Sequence, residues 1–184
     1  MNFPKYINFN ADRFVITESE FRIRPNEAEL NKLRKRLTPG VGIGIDRGVL
    51  RHYGIYIGDD LVIELNGATQ GKNKSRLVRL GSFLVDGKSN DVKIFHSLKF
   101  SPDIVILRAK NALNATKIPY NLFKNNCEHF MNEILNGEHT SHQVAGLKTY
   151  LGLMNYKLAN RFLKSQEKNA QKFSHLYGKF LQVG

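Results

Sequence analysis

The only cysteine of the 184-residue chain, Cys127, lies in Asn125-Asn126-Cys127-Glu128-His129-Phe130, where helical apolar spacing begins. A thiol in the first turn of a helix gains from the partial positive charge of that end, and a nearby imidazole would complete its activation as a nucleophile. An unpaired cysteine is equally a small apolar side chain suited to a core, so the hexapeptide alone leaves both readings open. His129 is a poor partner, because two residues along a helix it projects about 200° round the axis from Cys127.

A second histidine, His52, lies in Arg51-His52-Tyr53-Gly54-Ile55-Tyr56-Ile57-Gly58-Asp59-Asp60-Leu61-Val62-Ile63-Glu64-Leu65-Asn66-Gly67. Two apolar runs around Gly58-Asp59-Asp60 predict a β-hairpin. With those three residues as the loop, Ile57 pairs with Leu61, Gly54 faces Glu64 and His52 faces Asn66. That register sets His52, Glu64 and Asn66 on one sheet face, with Gly54 leaving room between them. A two-residue loop would turn Glu64 to the other face. A histidine and a carboxylate so placed are either a structural pair or a general base with its orienter. His96, at the end of a strand over Val92–His96, reads as structural.

The remaining pattern supplies the scaffold. Residues 1–24 read as short extended pieces, and Asn26 caps a helix running to about Arg36, with glutamates in its first turn and basic residues in its last. Val41-Gly42-Ile43-Gly44-Ile45 predicts a strand whose glycine face admits a closely packed neighbour. Residues 68–76 read as a loop, followed by strands near Leu77–Leu80, Phe83–Val85 and Val92–His96. Ser101-Pro102-Asp103 opens a helix to Asn114, and Phe130, Met131, Ile134 and Leu135 continue the helix of Cys127 to a cap at Gly137. From Ala145 onward Leu147, Leu151, Met154, Leu158 and Phe162 recur at helical spacing, with seven Lys/Arg against one acid, which predicts a basic amphipathic helix.

A net charge of +12 and a pI near 9.9 point to polyanionic partners, nucleic acid or an anionic membrane surface. One cysteine excludes a disulfide framework and a multi-cysteine zinc site. No apolar run reaches about 18 residues, and no secretory signal is visible at the start. The expectation is a cytoplasmic protein, peripheral to a membrane surface at most.

His52 before Cys127 in the chain, with Tyr53-Gly54-Ile55-Tyr56-Ile57-Gly58-Asp59, Val62-Ile63, Tyr120 and Asn125 to Phe130, resembles the lecithin:retinol acyltransferase (LRAT) domain family. That family is a permuted branch of the NlpC-type papain-like fold. Gly137 and Ser141-His142-Gln143-Val144 also resemble the family's segment after the cysteine. The resemblance implies an α+β fold, a small antiparallel sheet packed against helices, with a C-terminal helical extension. The divisions it suggests are an N-terminal extension over 1–36, a catalytic domain over 37–145 and the basic tail over 146–184.

Carried onto this chain, the resemblance makes Cys127 the nucleophile, His52 the base and Glu64 the orienter, with Asn66 and Asn126 as candidates for orienting or oxyanion support. Family acyltransferases and phospholipases usually have a histidine where this chain has Glu64. A carboxylate can orient an imidazole as well, and an imidazolium beside Cys127 would favour a thiolate pair. The implied activity is acyl transfer or hydrolysis through a thioester on an ester or amide, phospholipid among the candidates, with no metal or organic cofactor. The partners expected are the acyl-bearing substrate and an anionic membrane surface, with nucleic acid less favoured; oligomeric state is not legible. The alternative is a non-enzymatic module that keeps the fold, like the picornaviral H-NC proteins, and binds membrane, RNA or a protein through its basic surface.

Overall fold

In the computed structural model the described residues are 21–22, 27–47, 50–66, 74–85, 91–115, 118, 120–121 and 123–147. The basic tail beyond residue 147 and the extended pieces expected over 1–20 lie outside them. The architecture is α+β. Strands β1 (Phe21–Arg22), β2 (Val41–Asp46), β3 (Arg51–Gly58), β4 (Leu61–Asn66), β5 (Lys74–Arg79) and β6 (Asp91–Phe95) form one sheet in the order β1-β6-β2-β3-β4-β5, every pair antiparallel. Helices α1 (Glu27–Arg34), α2 (Leu80–Val85), α3 (Pro102–Asn114) and α4 (Cys127–Asn136) complete the described elements that carry the two cores.

Strand alternation sorts the sheet into two buried faces. On one, Tyr53, Ile55, Ile63 and Leu65 pack with Val105 and Ala109 of α3 and with Cys127, Phe130, Met131, Ile134 and Leu135 of α4. On the other, Ile43, Ile45, Tyr56, Val62, Val92 and Ile94 pack with Leu33 of α1 and with Leu80 and Phe83 of α2. Glycine lets α4 approach β2 closely. A Cβ on Gly42 would lie 2.7 Å from Met131 Sδ and 2.9 Å from Leu135 Cδ1, which is why this strand alternates glycine with isoleucine.

The hairpin keeps the expected facing of Gly54 and Glu64 but reaches it differently. Its loop is the two residues Asp59 and Asp60, at φ 51° and 61°, the left-handed pair of a type I′ turn. Gly58 pairs with Leu61, and the register shifts between Tyr56 and Gly58. That irregularity restores the parity a two-residue loop would have reversed. Arg34 of α1 grips Asp60 with Nε to Oδ1 at 2.7 Å and a second bond from Nη2, tying helix to turn.

Two stretches differ from the sequence expectation. Residues 74–79, read partly as loop, form strand β5, and Phe83–Val85 belongs to a helix rather than a strand. Leu80 and Phe83, three apart, both enter the second core. Helical spacing thus satisfies a short apolar run that strand spacing would have left half exposed.

Candidate active site

Helix α4 begins with a full set of caps. Asn126 Oδ1 accepts from the backbone N–H groups of Glu128 and His129, each at 3.0 Å, and His129 Nδ1 accepts from the Asn126 N–H at 3.3 Å. This reciprocal box satisfies the N–H groups that a helix start leaves open. His129 therefore belongs to the cap.

The sulfur lies against the main chain of β3. Cys127 Sγ donates to the Arg51 carbonyl at 3.7 Å, and the Tyr53 N–H hydrogen bonds to it from the other side of His52. The contact exists because the β3–β4 ladder stops at Gly54 and Glu64, although β4 runs on beside β5 to Asn66. Beyond that point the peptide groups of Arg51 and Tyr53 face a side that β4 no longer covers. Gln143 fills part of it like a missing strand: Arg51 N–H donates to Gln143 Oε1 at 2.6 Å, and Gln143 Nε2 donates to the Arg51 carbonyl at 3.2 Å. Gln143 is held by Glu128, whose buried Oε2 accepts from Gln143 N–H at 2.9 Å and from Ser141 Oγ at 2.5 Å.

His52 and Glu64 meet on the Phe83 face of the sheet. Nε2 of His52 lies 2.5 Å from Glu64 Oε2, and the imidazole is 5.2 Å from the Phe83 ring centroid. The two side chains are 4% and 1% exposed, so their charges are weakly screened by solvent. Burial alone would push the Glu64 carboxyl up. The bonds and charge of His52, then of Arg76, outweigh burial and hold the carboxyl below its ordinary value. His52 thus leaves β3 between the two residues whose peptide groups carry the sulfur, at the strand end that β4 leaves open.

The thiol is not activated by its helix alone. Burial pushes Cys127 up to about 12, the Tyr53 N–H and the Arg47 charge oppose this, and the Glu128 carboxylate adds to it. At rest the proton stays on sulfur, and a nucleophilic role would require a base to remove it as a new bond forms. Tyr120 is close enough to feel Cys127, its phenol pushed up to about 12 chiefly by burial.

Of the sequence candidates, the structure brings His52 and Glu64 into contact and sets Cys127 beside the backbone that carries His52. Asn126 is the cap of α4. Asn66 pairs with Lys74 of β5, and the ladder holds no His52–Asn66 pair; its side chain is outside the described residues. His96 is exposed beyond the end of β6. Sequence reasoning missed Arg47, whose charge reaches both Cys127 and Tyr120. It also missed the role of Gln143, although the Ser141–Val144 motif was the available signal. Among the described residues no group of three His, Cys, Asp or Glu is arranged for a metal ion, and no helix is long and apolar enough to cross a membrane.

Comparison with known proteins bears on the same residues. A family model described as lecithin retinol acyltransferase matches residues 35–140. "Phospholipase A and acyltransferase 2" of Homo sapiens is 31% identical over 136 residues, which cover 65% of this chain and 83% of that protein. "Phospholipase A and acyltransferase 3" of Homo sapiens is 34% identical over 122 residues, covering 58% and 75%. For "Phospholipase A and acyltransferase 5" of Rattus norvegicus the identity is 31% over 141 residues, covering 70% of this chain and 48% of the relative.

Proposed function

Since the chain belongs to the lecithin retinol acyltransferase family, we propose that it is a cysteine-dependent acyltransferase or hydrolase acting on a phospholipid ester. The observation that carries this reading is the seat of Cys127 Sγ on the Arg51 and Tyr53 peptide groups, flanking the His52 that is bonded to Glu64. The names of the relatives support the lipid substrate.

In this reading the steps are as follows. Glu64 accepts the Nε2–H of His52, which fixes the tautomer and leaves Nδ1 as the nitrogen that exchanges a proton with sulfur. His52 takes the thiol proton as sulfur attacks the ester carbonyl carbon. The Cys127 N–H, at the positive end of α4, stabilises the oxyanion. Collapse expels the lysophospholipid alcohol, which takes the proton from His52 and leaves a thioester on Cys127. Water or an acceptor nucleophile, deprotonated by His52, then releases the acyl group. Asn126 acts by holding the helix start, and Arg47 supplies positive charge beside the reacting groups. The basic surface favours residence near anionic lipid.

A second reading, a binding module that retains the fold, draws on the buried thiol, pushed up to about 12. One experiment separates the two: Cys127→Ala against phospholipid vesicles, a peptide and a thioester. Loss of turnover with an unchanged fold is expected, whereas undiminished turnover in the variant rejects the cysteine mechanism.

A further inference from the structure

Glu64 makes a second bond, on the side away from His52. Its Oε1 accepts from Arg76 Nε at 2.5 Å while Oε2 faces His52 Nε2 at 2.5 Å. The three residues come from neighbouring strands, with Glu64 paired across the ladder to Arg76, so the sheet itself lines them up. The carboxylate is 1% exposed and Arg76 45%: a buried anion is joined to a cation at the surface. Opposed to an imidazole alone, such a carboxylate would share its proton in a closed pair. A guanidinium does not give up its proton and presents donors in a rigid plane. Among the described residues the charged or titratable groups placed here are Glu64 from β4 and Arg76 from β5 at the pair, with Cys127 at the start of α4 and Arg47, whose charge reaches it, at the strand end. From α2 the neighbour is Phe83 and from β2 it is Ile45, both apolar.

We propose that Arg76 is a positioning residue of this site, acting through Glu64. Its guanidinium holds the carboxylate with one oxygen on His52, and its fixed charge makes His52 release a proton more readily than an isolated histidine–glutamate pair would. Arg76 thereby offsets the pull of the Glu64 charge on the His52 proton. The inference rests on the catalytic reading of His52 given above.

The test is the NMR titration of the His52 imidazole in the full chain, assigned with His52→Gln, for Arg76→Met, Arg76→Lys, Glu64→Gln and the Glu64→Gln/Arg76→Met double variant. Removing the cation raises the His52 midpoint by roughly one pH unit in Arg76→Met, and Arg76→Lys recovers most of the shift. In the Glu64→Gln background Arg76→Met changes the midpoint by less than about 0.3 unit, because the path runs through the carboxylate. The acid limb of kcat/KM moves the same way, about tenfold lower turnover on the acid side with an alkaline plateau within about twofold. A folded Arg76→Met with an unmoved midpoint overturns the proposal, as does an equal shift in both backgrounds. Should Arg76→Met not fold, Arg76→Gln carries the same expectation and the same refutation. A moved midpoint with turnover indifferent to Cys127→Ala keeps Arg76 and removes the catalytic reading, whereas an unmoved midpoint with Cys127-dependent turnover does the reverse.

Discussion

Gln143→Ala removes two hydrogen bonds that hold the open end of β3, the 2.6 Å bond from Arg51 N–H and the 3.2 Å bond to the Arg51 carbonyl. At about 1 kcal/mol net for each, the loss is about 2 kcal/mol, or roughly thirtyfold in the folded-to-unfolded ratio. The catalytic effect should exceed the stability effect. The Arg51 carbonyl also accepts from Cys127 Sγ, so a strand end free to shift by about 1 Å would misplace sulfur against imidazole and cost on the order of a hundredfold in kcat. KM should change little, because Gln143 is proposed to hold the site rather than the lipid. Urea unfolding gives the first quantity and initial rates on phospholipid vesicles the second. Gln143→Glu is the control: it keeps an acceptor for Arg51 N–H, loses the donor to the carbonyl, and should not recover kcat. Wild-type kcat in Gln143→Ala, or a stability change below about 0.3 kcal/mol, would refute the reasoning.

Two further outcomes test the surroundings. Glu133, pushed up to about 7 by burial against the opposing charges of Arg108 and Lys99, holds its proton more tightly folded than unfolded. Its contribution is therefore full below about pH 4.5 and lost as pH rises through about 7, a limit of ~3 kcal/mol. Glu133→Gln should gain on the parent between pH 4.5 and 8 in chemical unfolding, and parallel curves would reject the assignment. His139, 3.8 Å away, is held low by its own burial and contributes with the opposite slope, so only the variant–parent difference isolates Glu133. Gly54→Ala would set a Cβ 2.6 Å from Val62 Cγ1 and 3.0 Å from Phe83 Cε2. Overpacking there should cost about 1–3 kcal/mol and disturb the Phe83 contact of His52; an unchanged unfolding midpoint would contradict it.

The hairpin was legible because turn residues between two apolar runs are a local signal, and the facing of Gly54 and Glu64 followed from strand parity. The irregularity at Ile57 was not, since a three-residue loop and a two-residue loop with a bulge give Glu64 the same face. Phe83 was misread for a related reason: a short apolar run fits either period until its packing partners are known. Glycine alternation in β2 did announce the close approach of α4. Gln143 meets main chain 92 residues distant, and Arg76 meets Glu64 across the sheet. Neither arrangement leaves a periodic trace.

The carboxylate of Glu128 has a consequence for when the site comes into being. It ties the first turn of α4 to Ser141 and Gln143, so a nascent chain that has emerged only as far as α4 carries His52, Glu64 and Cys127 but lacks the segment that secures their strand. The thiol is the last of these three residues to be synthesised yet still precedes the segment that frames it, so a chain ending at α4 is expected to lack the framed strand end.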